Sequence, residues 1–593
     1  MAAKRILFFV FSAILFLIML AVLELNRNTV LGFILTAFLT AGFVSVYLTV
    51  QSNGRWYLKP LLFISWAALF FAVLLLTWPP VKAVPASSGR DPEPTKVITV
   101  GQGKLRGVVS EDGKVEIYAG IPYAKPPVGE LRWKEPQDPE PWEGILSADA
   151  FAPMSMQPTN LPIYDSLARI IGYHDYKISL SDNYIPPVSE DSLYLNIWKP
   201  AGDVAGLPVI VYVHGGSLQT GQPWFYDYNG TGLAKEGAIV VNMGYRLGVF
   251  GFFADEDLAL ESPNGTTGNY GLLDQIKALE WVRDNIAAFG GDAGNVTLAG
   301  ESAGAAAVSA LCTSPLAKGL FRRAVLESST VASKEPPHSF RSCEEAIASG
   351  NELKKRFNCE SAADLRKISA EKLVAEAETQ HHITVDGYVL TETPYESYRK
   401  GIHNEEQLLH GYNLEESAAF ILFDNADMKS FDGKVRGYFG EHSDEIYAIY
   451  SPTNDAEARA QWAEIWGAVF FDYPHYCLNR IAAENSIPVY EYIFTKQNGR
   501  LGPWHSGEEI YLYGNIEDGS KLFDERDRRL SAEMSSYLLN FAATGDPNGE
   551  GLPEWKQNVS SEDLMEFGDR TGMTKEKKTR LYGILDRMTG FGG

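Results

Sequence analysis

The sequence predicts an α/β body, a mostly parallel central sheet flanked by helices, preceded by three transmembrane helices. Three observations predict it. Leu207–Val213 and 238–243 are continuous apolar runs without polar alternation, as expected of strands covered on both faces. They alternate with helical patterns such as 272–288, and strand–helix alternation builds a parallel sheet. Ahead of these stand three long apolar runs, 6–23, 29–50 and 60–81, none containing a charge.

Each of those runs reaches or approaches the roughly 20 residues that cross a bilayer. A cleaved leader is not expected, because Ala-Val-Leu-Glu-Leu follows the first run where small cleavage-site residues belong. Lys4 and Arg5 precede the first span, and Arg55 and Lys59 sit between the second and third. The positive-inside rule puts both groups in the cytoplasm. Three crossings then leave the body on the extracytoplasmic side of a cell membrane, as a multi-pass protein. Residues 82–96 are rich in proline and read as an extended linker. The expected division is therefore 1–81 anchor, 82–96 linker and 97–593 body.

The body opens with short strands around Val97-Ile-Thr-Val and Lys104-Leu-Arg-Gly-Val-Val. Residues 151–188 read as loop, with many tyrosines and prolines. Beyond the sheet segments, 337–380 is strongly helical, and 392–404 and 424–449 read as inserted cap material. Residues 488–494 predict another central strand, and 527–543 a terminal helix.

Charge is uneven along the 593 residues. The chain is net −23, yet its first 96 residues carry eight Lys and Arg against three Asp and Glu. An acidic body excludes nucleic acid as a partner, since that demands basic surface. Among the four cysteines only Cys343 and Cys359 lie close in sequence, and the stretch between them reads as helix. Sixteen helical steps span about 24 Å, far beyond disulfide reach, so free and mostly buried thiols are expected. No Cys/His cluster has metal-ligand spacing, and no cofactor is expected.

The chemistry centres on Asn295-Val-Thr-Leu-Ala-Gly-Glu-Ser-Ala-Gly-Ala305, a β-branched strand running through Gly300-Glu301-Ser302-Ala303-Gly304 into a helix of small residues. This is the strand–turn–helix context in which a G-x-S-x-G serine is pushed out as a nucleophile. Small residues two before and two after the serine let the strained turn close. A serine hydroxyl needs a base, and the base needs an orienting acid, in the chain order Ser, acid, His for this kind of fold. Among the later histidines, His505 follows strand 488–494 in the loop Gly502-Pro-Trp-His-Ser-Gly-Glu-Glu509. His442 lies in a polar stretch, and His475 in a helical segment where a packed histidine is the ordinary explanation.

From about Val97 to the C-terminus the chain resembles the type-B carboxylesterases, the group of the cholinesterases and bacterial para-nitrobenzyl esterases. The resemblance rests on Gly120-Ile-Pro-Tyr-Ala124, Glu190-Asp-Ser-Leu-Tyr-Leu-Asn-Ile-Trp198, His214-Gly-Gly216, Tyr245-Arg-Leu-Gly-Val-Phe-Gly251, Gly268-Asn-Tyr-Gly-Leu-Leu-Asp-Gln275, Phe289-Gly-Gly-Asp292 and the Ser302 turn. It implies an α/β-hydrolase fold and a catalytic set of Ser302, Glu416 and His505. Glu416 is the last residue of the family-like segment Gly411-Tyr-Asn-Leu-Glu-Glu. Its neighbour Glu415 is expected to face the other way, as adjacent strand residues do. The resemblance also implies backbone oxyanion donors at Gly216, Ser217 and Ala303, with serine at 217 where the family usually has glycine or alanine. Glu301 and Ser328 are expected beside the triad, His214 as structural, and Arg132–Glu190 and Arg246–Asp274 as buried ion pairs.

Two departures inform. Secreted eukaryotic members bridge the loop before Glu-Asp-x-Leu with a disulfide. Here both positions are serine, Ser155 and Ser192, which leaves the loop unstapled and points to the bacterial branch. The loop 155–192 also contains no tryptophan, so the aromatic cage that a choline-type cation needs is not expected. The function implied is hydrolysis of small-molecule carboxylic esters through an acyl-enzyme, with the membrane as partner through the N-terminal helices. The alternatives are a lipase acting on longer acyl chains, disfavoured by the lack of an evident apolar lid, and a non-catalytic adhesion or binding protein, disfavoured by the intact triad.

Overall fold

The structure, a computed structural model, describes residues 2–591 except 54, 85, 87–90, 160, 172–183, 337–339, 378–381, 422–425, 498–501 and 559–561. The chain divides into two compact units, Met1–Ala83 with Thr159–Pro187, and Val84–Pro158 with Val188–Gly593.

The first unit contains α1 (Ala2–Leu25), α2 (Val30–Ser52) and α3 (Lys59–Leu76), all long and apolar enough to cross a membrane. They pack through an aromatic cluster in which Phe43 stacks on Trp66 and Phe8 on Tyr47. The turn between α1 and α2 is tied to the end of α3, because Asn28 donates through Nδ2 to the Thr77 hydroxyl (2.9 Å) and the Leu74 carbonyl (2.8 Å). The third apolar helix stops at Leu76, short of the expected Val81. Pro79 and Pro80 account for this, since proline disfavours helix at the residue before it and cannot continue one. The same unit holds α4 (Pro162–Ile171), a helix where the sequence reads only loop. The rest of that loop, 172–183, lies outside the described residues.

The second unit is built on an eleven-stranded sheet. Its strands in chain order are β1 (Val108–Val109), β2 (Val115–Pro122), β3 (Tyr194–Pro200), β4 (Leu207–Val213), β5 (Ile239–Met243), β6 (Gly291–Glu301), β7 (Arg323–Glu327), β8 (Gln407–Asn413), β9 (Val489–Phe494), β10 (Asp563–Phe567) and β11 (Thr571–Lys575). Spatially the order is β11-β10-β9-β8-β7-β6-β4-β5-β3-β2-β1. The strands from β5 through β10 run parallel, and antiparallel pairs finish both edges. β5 is buried along its whole length and β4 from Val209 onward, which is why they read as apolar runs rather than alternation. Helices α5 (Tyr270–Asn285), α6 (Ala303–Leu311), α7 (Tyr473–Glu484), α8 (Glu525–Thr544) and α9 (Thr579–Thr589) belong to this unit. Helix α8 is not terminal as expected, because β10, β11 and α9 follow it.

Described residues of the linker are tied to the body: Phe151 donates its N–H to the Val84 carbonyl (2.9 Å) and Val109 to that of Glu93 (2.8 Å). All four cysteines are free, with Cys312 and Cys477 buried and the other two half-buried. The expected ion pairs form: Arg132 grips Glu190 with two bonds of 2.6 Å, and Arg246 holds Asp274 at 2.7 and 2.8 Å. The loop base is not left loose by its serines. The Ser155 and Ser192 hydroxyls lie 3.0 Å apart, and Ser155 donates to the Tyr245 carbonyl at 2.6 Å.

Candidate active site

A parallel sheet aims the carboxyl ends of its strands at one edge, and ligands of open α/β sheets bind there. Four such ends supply the site. Ser302 follows β6, the Gly215–Ser217 loop follows β4, Glu416 lies just beyond β8, and His505 follows β9.

Ser302 has φ 54° and ψ −126°, a conformation that costs an ordinary L-residue about 1–3 kcal/mol. The turn is held by tight backbone approach. A Cβ on Gly304 would fall onto the Val213 carbonyl oxygen, and one on Gly300 would sit 2.7 Å from the Gly304 carbonyl carbon. The Ser302 N–H is used up by the Glu327 carbonyl at 2.8 Å, which fixes the turn to β7. Its hydroxyl stays available.

His505 Nε2 lies 2.8 Å from Ser302 Oγ, and His505 Nδ1 lies 2.6 Å from Glu416 Oε2. The imidazole is held edge-to-face by Phe420, ring centroids 5.0 Å apart, and Phe471 packs against it at 4.7 Å. Phe471 belongs to a π-helical turn, Ala468–Asp472, at the start of α7. Such a turn inserts an extra residue and redirects side chains, often at functional sites. Glu416 is fully buried. Its Oε1 accepts the Asn413 N–H at 2.7 Å, so the carboxylate is fixed from both sides. Burial pushes its carboxyl upward, opposed by the Ser328 hydroxyl and the Asn413 N–H.

Glu415, by contrast, is exposed and accepts from Gln497 at 3.2 Å. The reason differs from the expected strand alternation: β8 ends at Asn413, and Glu416 opens a 3₁₀ turn that carries it inward. Glu301 reaches His505 Nε2 at 3.2 Å and accepts the Ser506 hydroxyl at 2.6 Å. Burial pushes it up to about 7, with His505 opposing. Ser328 donates to Glu508 at 3.0 Å, and Glu508 also accepts from Asn413 Nδ2. Burial, with Glu416 nearby, pushes Glu508 up to about 7.

Among the described residues the N–H groups of Gly216, Ser217 and Ala303 have no acceptor. Ser217 has φ 57°, so the serine takes a left-handed conformation here. His214 is buried, stacks on Tyr245 at 4.6 Å and is pushed down to about 4 by burial, which keeps it neutral. His442 bonds Glu445 at 2.9 Å, and His475 is buried with His410, its Nδ1 2.9 Å from that of His410; neither lies with Ser302. Among the described residues no cluster of His, Cys, Asp and Glu has metal-binding form.

Sequence reasoning assigned no role to three contributors. Asn413 stood only as a member of the segment ending at Glu416, and Phe471 carries no signal beyond its type. Gln157 exchanges two bonds with Gly221, 2.7 and 2.9 Å, at the far end of the oxyanion-type loop.

Residues 94–583 match the family model described as the carboxylesterase family. The chain belongs to the carboxylesterase family. The relatives of this carboxylesterase include the fumonisin B1 esterase of Sphingopyxis macrogoltabida, 33% identical over 83% of this chain and 89% of that protein. The para-nitrobenzyl esterase of Bacillus subtilis is 32% identical over 77% of this chain and 91% of its own length. A solved structure of a PNB esterase superposes with TM-score 0.69 at 27% identity, covering 83% of this chain and 99% of that one. The protein is an α/β-hydrolase and a carboxylic ester hydrolase.

Proposed function

We propose that Ser302 is the nucleophile, His505 the base and Glu416 its orienting acid. The supporting observation is the unbroken line of two hydrogen bonds from Ser302 Oγ through His505 to Glu416. In this reading Ser302 Oγ attacks the acyl carbon while its proton passes to His505 Nε2. The negative oxygen is met by the N–H groups of Gly216, Ser217 and Ala303, each worth roughly 3 kcal/mol of barrier. The alkoxide leaves with the proton from His505, and water then cleaves the acyl-enzyme with His505 again as base. Glu416 accepts a hydrogen bond from Nδ1–H and so fixes the tautomer. Glu301, ionised, favours the imidazolium formed at Nε2.

The substrate class is small-molecule carboxylic esters. We also infer that 1–81 is a multi-pass anchor in the cell membrane, 82–96 a linker, and 97–593 a hydrolase on the extracytoplasmic side. The basic residues Lys4, Arg5, Arg55 and Lys59 support that orientation.

The roles are tested by turnover of para-nitrophenyl esters. His505→Ala is expected to lower kcat by about 10⁴-fold or more, because triad members act as a unit. Glu416→Gln lowers it by less, still by orders of magnitude. Glu415→Gln leaves it near the unsubstituted rate. A critical Glu415 beside a dispensable Glu416 contradicts the assignment.

A further inference from the structure

Between Pro158 and Val188 the polypeptide leaves the catalytic unit, and Thr159–Pro187 is compact with the membrane-type helices instead. Two attachments hold it there. Helix α4 packs on α1. Further on, Ile185 donates its N–H to the Pro80 carbonyl (2.9 Å) and accepts the Lys82 N–H (3.1 Å), just after the third span.

α4 is two-sided. Pro162 and Ser166 are buried, whereas Tyr164, Leu167 and Ile170, spaced by three, are 60%, 38% and 42% exposed, with Leu161 before them at 48%. Ten residues span about 15 Å, half of a bilayer's apolar thickness, so the helix cannot cross. A short helix that cannot cross and exposes an apolar face suits the plane of the lipid interface. The occupant follows from continuity. α1, on which α4 packs, belongs to a bundle whose outer surface exposes Leu17, Phe38 and Leu69 by 53% or more, a surface that only lipid suits.

The excursion is gripped at its base inside the catalytic unit. Met154–Ser155 pairs with Val188–Ser189, and Gln157, two residues before the excursion, exchanges both its amide bonds with Gly221. Gly221 closes the loop that carries Gly216 and Ser217.

We propose that α4 is a helix seated in the surface of the bilayer. This rests on the reading of 1–81 as a membrane anchor and not on the ester-hydrolase reading. The test uses the full chain in phosphatidylcholine vesicles, with its native cysteines replaced and an environment-sensitive nitrobenzoxadiazole probe on Leu167→Cys. A second probe on Met428→Cys, exposed in the catalytic unit, is the control. The expected result is blue-shifted emission at 167, quenched by nitroxides shallow in the lipid, and water-like emission at 428. Water-like emission at 167 overturns the proposal. So does emission shielded from both lipid nitroxide and aqueous iodide, which would mean that protein or a second copy covers the face.

A second arm reads the anchor by the same probe on Leu17→Cys, exposed on α1. Lipid-quenched emission is expected there; water-like emission at 17 would sink the anchor reading, whereas water-like emission at 167 alone overturns the place of α4.

Discussion

Glu415 and Glu416 are chain neighbours, yet one is solvated by Gln497 and the other is sealed against His505. The contrast shows what single residues contribute here: burial sets the charge behaviour of the site. Glu301 and Glu508, both fully buried, are pushed up to about 7. An acid raised in the folded state keeps its proton while its unfolded counterpart ionises. The unfolded chain then binds fewer protons, and stability falls as pH rises from about 4.5 to about 7, by about 1.4 kcal/mol per pH unit for each such group. Above that window both states are ionised and the loss is complete. Glu508→Gln is therefore expected to flatten the decline between pH 5 and 7 by about one proton, read by denaturant unfolding of the detergent-solubilised protein. An unchanged slope contradicts the burial account. Ser302, Glu416 and His505, which the structure brings together, were legible because motif, chain order and family resemblance converge on them. Asn413 was legible only as a member of the segment ending at Glu416; its backbone N–H on Glu416 leaves no mark on residue type.

At the scale of elements, the turn at Ser302 depends on how closely β4, β6 and α6 approach. Gly304→Ala is expected to destabilise the fold by about 2 kcal/mol or more, because backbone must move to clear the Val213 carbonyl. A Tm within a degree of the unsubstituted protein would contradict it. The central strands were legible as unbroken apolar runs. Helix α4 was not: a ten-residue amphipathic stretch amid tyrosines and prolines has too few turns to establish a period. The Ser155–Ser192 contact was equally hidden, because losing a disulfide says nothing about which polar contact replaces it.

At the scale of the whole molecule, an acidic esterase body is joined to three apolar helices through 82–96. Lys82 and Arg90 lie in that segment and are cleavable by trypsin. Trypsin added outside intact cells is expected to cut there and leave a body-sized fragment with full ester turnover. Protection in intact cells, with cutting after permeabilisation, would contradict the outward orientation. The three long apolar helices were legible from length and absence of charge. The assignment of 159–187 to the anchor unit was not, because sequence order places it inside the hydrolase body.

The central claim is that ester cleavage passes through an acyl group on Ser302. It is tested most directly by quenching turnover of a para-nitrophenyl ester in acid and mapping the protein by mass spectrometry. The account predicts the acyl mass on the peptide holding Gly300–Gly304, at Ser302, and its absence from Ser302→Ala together with loss of turnover. An acyl group found elsewhere, or undiminished turnover by Ser302→Ala, would contradict it.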